Sequence, residues 1–306
     1  VRYRIVHRTR YAYAEPVTAA YGEHHLLPRT TPTQQVVEAS VAIDPAPDDR
    51  RERTDLYGNR VEHYSVVAAH DELVVTASSL VDVRPPPVAV TEVTWEQAAA
   101  EVRDGDSAAA IDARTFLLDS PQVAAIPDLR ELAAGAFTPG RALVAAYRAL
   151  INLLAEEFAF DPTSTTVTTP VEQVLERRAG VCQDFAHLLV GCLRSLALPA
   201  RYVSGYLETV PTPGQPRLQG ADASHAWASL WVPGHGWLDG DPTNDQLVGS
   251  QHVTVAWGRD YGDVPPLKGV IFTDGPTTSL EVEVDVLRVD DEQGATTPAP
   301  TASGEA

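Results

Sequence analysis

The chain contains two cysteines, Cys182 and Cys192. The first lies in the segment Arg178-Ala179-Gly180-Val181-Cys182-Gln183-Asp184-Phe185-Ala186-His187, which places a thiol at or near the first turn of an amphipathic helix. Free N–H groups and the positive end of the helix dipole favour a thiolate there, and the same groups can donate to an oxyanion forming on a substrate carbonyl. Cys192 sits between Leu189 and Leu193 in the middle of the same pattern and reads as a small buried hydrophobe. By itself Cys182 could be one too. Ten positions of helix separate the two sulfurs by about 15 Å at 1.5 Å per residue, beyond the reach of a disulfide. Two unpaired thiols fit a reducing compartment.

A nucleophilic thiol needs a base and a group to orient that base. Ser224-His225-Ala226-Trp227 opens a strand-like run, and Gly236-Trp237-Leu238-Asp239-Gly240-Asp241 follows it after the turn Pro233-Gly234-His235-Gly236. These runs form a hairpin, and counting outward from the turn sets His225 directly across from Asp241. Asp239 has the same side-chain parity and competes for the role. His187, one turn along the cysteine's helix, is the second candidate base, and His235 in the turn is a third. Each of these residues also has an ordinary structural reading, the histidines as packing groups and Asp241 before Pro242 as a turn former. A zinc site from Cys182, His187 and His225 lacks a fourth ligand and any Cys-x-x-Cys or His-Glu-x-x-His spacing, so no metal is expected.

The elements that must hold these groups divide in two. Residues 1–84 read as an antiparallel β-domain: Tyr3, Ile5 and His7 alternate with arginines, and the runs 36–43, 60–67 and 72–83 are separated by turn signals such as Tyr57-Gly58-Asn59. Pro85-Pro86-Pro87 marks a boundary. Residues 85–140 are a linker and helical segment. The core spans 141–289, where Leu143, Tyr147, Leu150, Leu154 and Phe158 form one helical stripe and Phe185 to Leu196 a second, which Pro199 ends. The runs 201–207, 224–232, 236–239, 253–257 and 280–289 are the strands expected beside these helices, which makes the fold α+β. Residues 290–306, rich in Pro, Thr, Ala and Gly, read as a disordered tail.

The order Gly180-Val181-Cys182-Gln183-Asp184-Phe185-Ala186-His187, then Ser224-His225-Ala226-Trp227, then Gly236-Trp237-Leu238-Asp239-Gly240-Asp241-Pro242-Thr243-Asn244 resembles the core of the transglutaminase-like superfamily of papain-like cysteine enzymes. The first 84 residues resemble the β-rich region that precedes this core in the bacterial branch, through His7-x-Thr9-x-Tyr11-x-Tyr13, Leu27-Pro28-Arg29 and Asp55-Leu56-Tyr57-Gly58-Asn59. The likeness covers the chain to about residue 289. It implies a papain-like core with Cys182 as nucleophile, His225 as base and Asp241, in preference to Asp239, as the orienting acid. Such families hold cross-linking acyltransferases, peptidases, amidases and members without catalysis.

The expected activity is therefore cysteine-dependent hydrolysis of a peptide or protein amide through a thioester. Gln-directed acyl transfer and a non-catalytic peptide-binding scaffold are the alternatives. No organic cofactor is expected, since no phosphate-binding or dinucleotide motif occurs. With 23 basic against 42 acidic residues and a net charge of −19, nucleic acid is excluded as a partner. No apolar run reaches the roughly 20 residues of a membrane span. The amino terminus lacks the apolar stretch of a signal peptide, which points to a cytoplasmic protein.

Overall fold

The computed structural model describes residues 1–87, 89, 91–209, 224–273, 275 and 277–289. The expected tail, 290–306, lies outside the described residues. The elements in the first part are β1 (Arg2–Val17), β2 (Ala19–His24), β3 (Gln34–Asp44), β4 (Asp49–Thr54), β5 (Arg60–Val66) and β6 (His70–Val83). Next come α1 (Trp95–Asp104), α2 (Ala108–Arg114), α3 (Pro127–Ala134), α4 (Leu143–Glu157), β7 (Ala159–Phe160), α5 (Val171–Arg177), β8 (Ala179–Gly180) and α6 (Cys182–Ser195). The chain closes with β9 (Ala200–Leu207), β10 (Ser224–Val232), β11 (Gly236–Asp241), β12 (Gln246–Leu247), β13 (His252–Gly258), β14 (Leu267–Phe272) and β15 (Thr277–Val289).

Strict alternation makes β1 a half-buried strand: Tyr3, Ile5, His7 and Thr9 point inward, and Arg2, Arg8 and Arg10 pair outside with Asp82, Glu283 and Glu72. Two antiparallel sheets, ordered β15-β1-β6-β3 and β14-β2-β5-β4, enclose a shared core of Tyr13, Val17, Val41, Tyr64, Val66 and Val75. The strand at the chain's end belongs here rather than beside the helices, because β15 pairs with β1 from Arg2↔Val289 onward and β14 pairs with β2. The sequence reading grouped 280–289 with the second domain. Its alternation is right for a strand but carries no information about the partner, and the long edge of β1 takes it.

A third sheet, β12-β11-β10-β9-β13, packs its Ala228, Leu230, Val232 and Leu238 against the helices. Helix α4 buries Leu143, Tyr147, Leu150 and Leu154 as the stripe predicts. Helices α1 and α3, from the segment read partly as linker, add Ala98, Leu129 and Ala133 to the same core. Helix α6 lies at the centre, with residues 183–193 all buried. A Cβ at Gly191 would sit 2.6 Å from Leu129 Cδ1, so a larger residue there would force the Leu129 side chain of α3 to move. The helix ends before Pro199 with Ala197 at φ +58°, and Leu198 N–H bonds to Leu193 O.

Candidate active site

The approach to α6 is shaped by Asp184. Its Oδ2 accepts from Val181 N–H at 2.8 Å and from Thr165 Oγ1 at 2.6 Å, so the carboxylate folds back over the helix entrance as a cap. A Cβ at Gly180 would meet Asp184 Oδ2 at 2.7 Å, which accounts for the glycine. Cys182 is then the first helical residue, partly exposed and packed beside a cluster containing Ala186, Tyr202, Tyr206 and Ala226. Cys192 is fully buried, and desolvation pushes its thiol well above the ordinary range. Both cysteines are free.

His225 is the second residue of β10, opposite Gly205 of β9. A Cβ on Gly205 would come within 2.5 Å of the Trp227 ring, so glycine leaves room for an indole that is itself fully buried. The hairpin register is Ala228↔Gly240, Ser229↔Asp239 and Val232↔Gly236. Its loop takes residues 233–235 and closes with Gly234 at φ +73° and Gly236 at φ +94°. Asp241 therefore stands one step beyond the ladder, on the line of Trp227, and is diagonal to His225 rather than directly across from it. The count from the turn was displaced by two residues. An even displacement keeps every side chain on its expected face, and the contact survives: His225 Nε2 lies 2.8 Å from Asp241 Oδ2.

Asp241 is fully buried and saturated with donors. Its Oδ2 accepts from His225 Nε2, from His252 Nε2 at 3.1 Å and from Asn244 Nδ2 at 2.7 Å. Its Oδ1 accepts from the backbone N–H groups of Thr243 and Asn244, an Asx turn that Pro242, lacking an N–H, cannot interrupt. Burial alone would raise the carboxyl's pKa, but the bonds from His225 and His252 outweigh it and hold the group well below the usual carboxylate range. Burial would likewise lower His225. Hydrogen bonds to Asp241 and to Cys182 reverse that and lift the imidazolium to about 10. Since Nε2 is spent on Asp241, Nδ1 is the nitrogen left to face the thiol.

The other candidates are placed elsewhere. Asp239 shares the face of Asp241, yet its oxygens are taken by Ser229 Oγ and by Trp227 Nε1 at 3.3 Å. His187 is buried, its Nε2 accepts from Tyr261 N–H at 3.1 Å, and desolvation lowers it to about 4, which commits it to the packing of α6. His235 stays in the turn, at the far end of the hairpin from His225. Gln183, next along α6, donates its side-chain amide to Val167 O.

Residues 3–82 match the bacterial transglutaminase-like N-terminal region, and residues 130–242 match the transglutaminase-like superfamily. An uncharacterized protein of Mycobacterium tuberculosis is 43% identical over 295 residues, covering 94% of this chain and 92% of its own. The chain belongs to the transglutaminase-like superfamily. A Mycobacterium leprae relative, also uncharacterized, is 35% identical over 295 residues, 94% of this chain and 99% of that one. The fold agrees with the crystal structure of a "Putative Cysteine Protease" from Cytophaga hutchinsonii, with TM-score 0.73 and 22% identity over 95% of this chain and 92% of that one.

Within this transglutaminase-like core, sequence reasoning missed His252 and assigned no role to Asn244. His252 opens β13, as His225 nearly opens β10, and a histidine at a strand end beside a buried carboxylate was the available signal. His225, Asp241 and His252 bring one ligand atom each within 4.8 Å of one another. Both Nε2 atoms carry hydrogens donated to Asp241, and Gly249 N–H approaches His252 Nδ1 at 3.4 Å.

Proposed function

We propose that the chain is a cysteine-dependent hydrolase of amide bonds, with Cys182 as nucleophile, His225 as general base and acid, and Asp241 as the orienting carboxylate. The observation that carries this reading is the chain of contacts from Asp241 through His225 to a thiol at a helix N-terminus. His225 Nδ1 accepts the thiol proton, and Sγ forms a bond to the substrate carbonyl carbon while the C=O pair moves to oxygen. The Cys182 backbone N–H at the helix start is placed to stabilise that oxyanion. Collapse breaks the C–N bond, and the departing amine takes the proton from Nδ1, leaving a thioester. Water, deprotonated by His225, then attacks the thioester, breaks the C–S bond and releases the acid.

Acyl transfer to an amine is the second reading. It is favoured by a 32% identity over 105 residues, 31% of this chain and 16% of the other, with a Pseudomonas aeruginosa protein-glutamine gamma-glutamyltransferase. Free thiols agree with a reducing, cytoplasmic setting, and among the described residues no helix is long and apolar enough to cross a membrane. The test is to incubate the chain with Gln-containing peptides, with and without a primary amine, and to follow product masses and acid-quenched adducts on Cys182. Hydrolysis gives free acid and a Cys182 thioester in both arms. Amine incorporation that outruns hydrolysis moves the assignment to transfer, and adducts or products retained in Cys182→Ala defeat both readings.

A further inference from the structure

Three arginines have their pKa driven down by burial, and they differ in what they hold. Arg29 donates to Tyr57 O and Asn59 Oδ1. Arg194 donates to the carbonyls of Phe116, Ala200 and Arg259. Arg201 is 7% exposed, its Nε has no partner, and no acceptor among the described residues takes a hydrogen bond from its guanidinium. A charge so placed costs several kcal/mol unless something completes it.

The surroundings of Arg201 are specific. Its guanidinium carbon lies 4.3 Å from the centroid of Trp237 and 3.7 Å from that of Trp257. Indole rings cover the flat faces, so the donor edge is the direction left for a partner. That side chain lines a cavity of about 440 Å³ between the 31–34 and 83–87 segments and the third sheet. Arg84, Asp239 and His252 also line it. Asp239 attracts Arg201 electrostatically, but its oxygens are already held by Ser229 and Trp227. Two arginines against one carboxylate line this cavity, in a chain whose net charge is −19.

We propose that this cavity is a binding site for a ligand bearing a single carboxylate, which Arg201 receives edge-on through its planar fork. A carboxylate matches that fork in shape and donor spacing, neutralises the excess charge and completes the buried guanidinium. The cavity shares His252 with the Asp241 cluster, so its occupant lies one side chain away from the catalytic carboxylate. The site does not depend on the cysteine chemistry, and a binding measurement tests it separately.

The experiment titrates the intact chain with N-acetylglutamate N-methylamide, N-acetylglutamine N-methylamide and acetate, read by calorimetry and by tryptophan fluorescence, since Trp237 and Trp257 flank the fork. The glutamate probe is expected to saturate with Kd at least about tenfold below that of its neutral isostere, the factor that one charge-assisted hydrogen bond supplies. Arg201→Gln should abolish that preference, and Arg201→Lys should restore only part of it. Exposed Arg84 provides a variant that spares the core: Arg84→Gln should weaken the glutamate probe several-fold. Tighter binding of acetate than of the glutamate probe identifies a small free acid as the ligand, and the reverse order a peptide-borne one. Equal affinity for the acidic and neutral probes, full retention of binding in folded Arg201→Gln, or no saturation by either carboxylate overturns the proposal.

Discussion

Replacing Asp241 with Asn tests the catalytic reading most directly, because the substitution keeps shape and removes charge. The asparagine has no favourable orientation. With its oxygen toward His225 and His252, its NH2 group confronts the N–H groups of Thr243 and Asn244, which now donate to Oδ1. With its NH2 group toward His225, it forces the ring to carry its proton on Nδ1, and the base can no longer accept from the thiol. The structure also sets a scale. Raising His225 from 6.5 to about 10 corresponds to about 5 kcal/mol in favour of the imidazolium, at about 1.4 kcal/mol per tenfold, and the ring is only 10% exposed, so solvent screens little of it. Cys182 supplies part of that shift. The loss on neutralising Asp241 is then about 10³ to 10⁴ in turnover, the size seen when a triad acid becomes an amide. Iodoacetamide gives an assay that needs no substrate. In Asp241→Asn the rate of Cys182 alkylation at a fixed neutral pH should fall, because the base beside the thiol no longer takes its proton. A folded Asp241→Asn protein with an unchanged Cys182 alkylation rate and turnover within tenfold of the parent refutes the reasoning, as does an equal loss in Asp239→Asn.

At neutral pH a limiting dose of iodoacetamide should label Cys182 and spare Cys192, whose burial keeps it protonated; peptide mass analysis showing Cys192 labelled first reverses that assignment. His252→Ala removes one of three donors on Asp241 Oδ2, and turnover should fall about ten- to hundredfold. Because His252 helps to hold that carboxyl below its usual range, the acid limb of the pH–rate profile should also move to higher pH, a shift that a packing role alone does not produce. Denaturant titrations should show stability declining as pH rises from about 6.5 to about 10, since across that interval folded His225 keeps a proton that the unfolded chain has released. Asp241→Asn should flatten this decline.

The parts of the fold that are periodic were legible in the sequence. The α4 stripe, the apolar face of α6 and the alternation of β1 each depend on local spacing, and each fixes which residues are buried. What was not legible is long-range pairing. Nothing in 280–289 distinguishes a partner in the third sheet from one near the amino terminus, and β1 is that partner. Strand β4, whose six residues are all exposed, has no hydrophobic signal at all and is held by its ladder to β5 and by pairs such as Arg60 with Glu52. Cys182, His225 and Asp241 could be put forward as a candidate set because helix start, strand start and Asx turn are local features, and His225 and Asp241 do meet. His252 could not be, because its role is created by the return of β13 to the edge of the sheet.

Asp239 and Asp241 show how two carboxylates on one face acquire different uses. Alternation makes them equivalent, and the difference comes from the rows they join across the sheet. Asp239 lies in the row Arg201, Ser229, Asp239, where β9, β10 and β11 set those residues side by side. There it meets an arginine it does not bond, a hydroxyl and an indole N–H. Asp241 lies past the end of the ladder, where β11 leaves its pairing with β10 and the chain turns. There, still paired with Gln246 of β12, it receives donors on its oxygens from three directions: His225 from β10, His252 from β13 and the backbone of its own turn. The end of the strand is thus what makes Asp241 able to hold His225 charged beside Cys182.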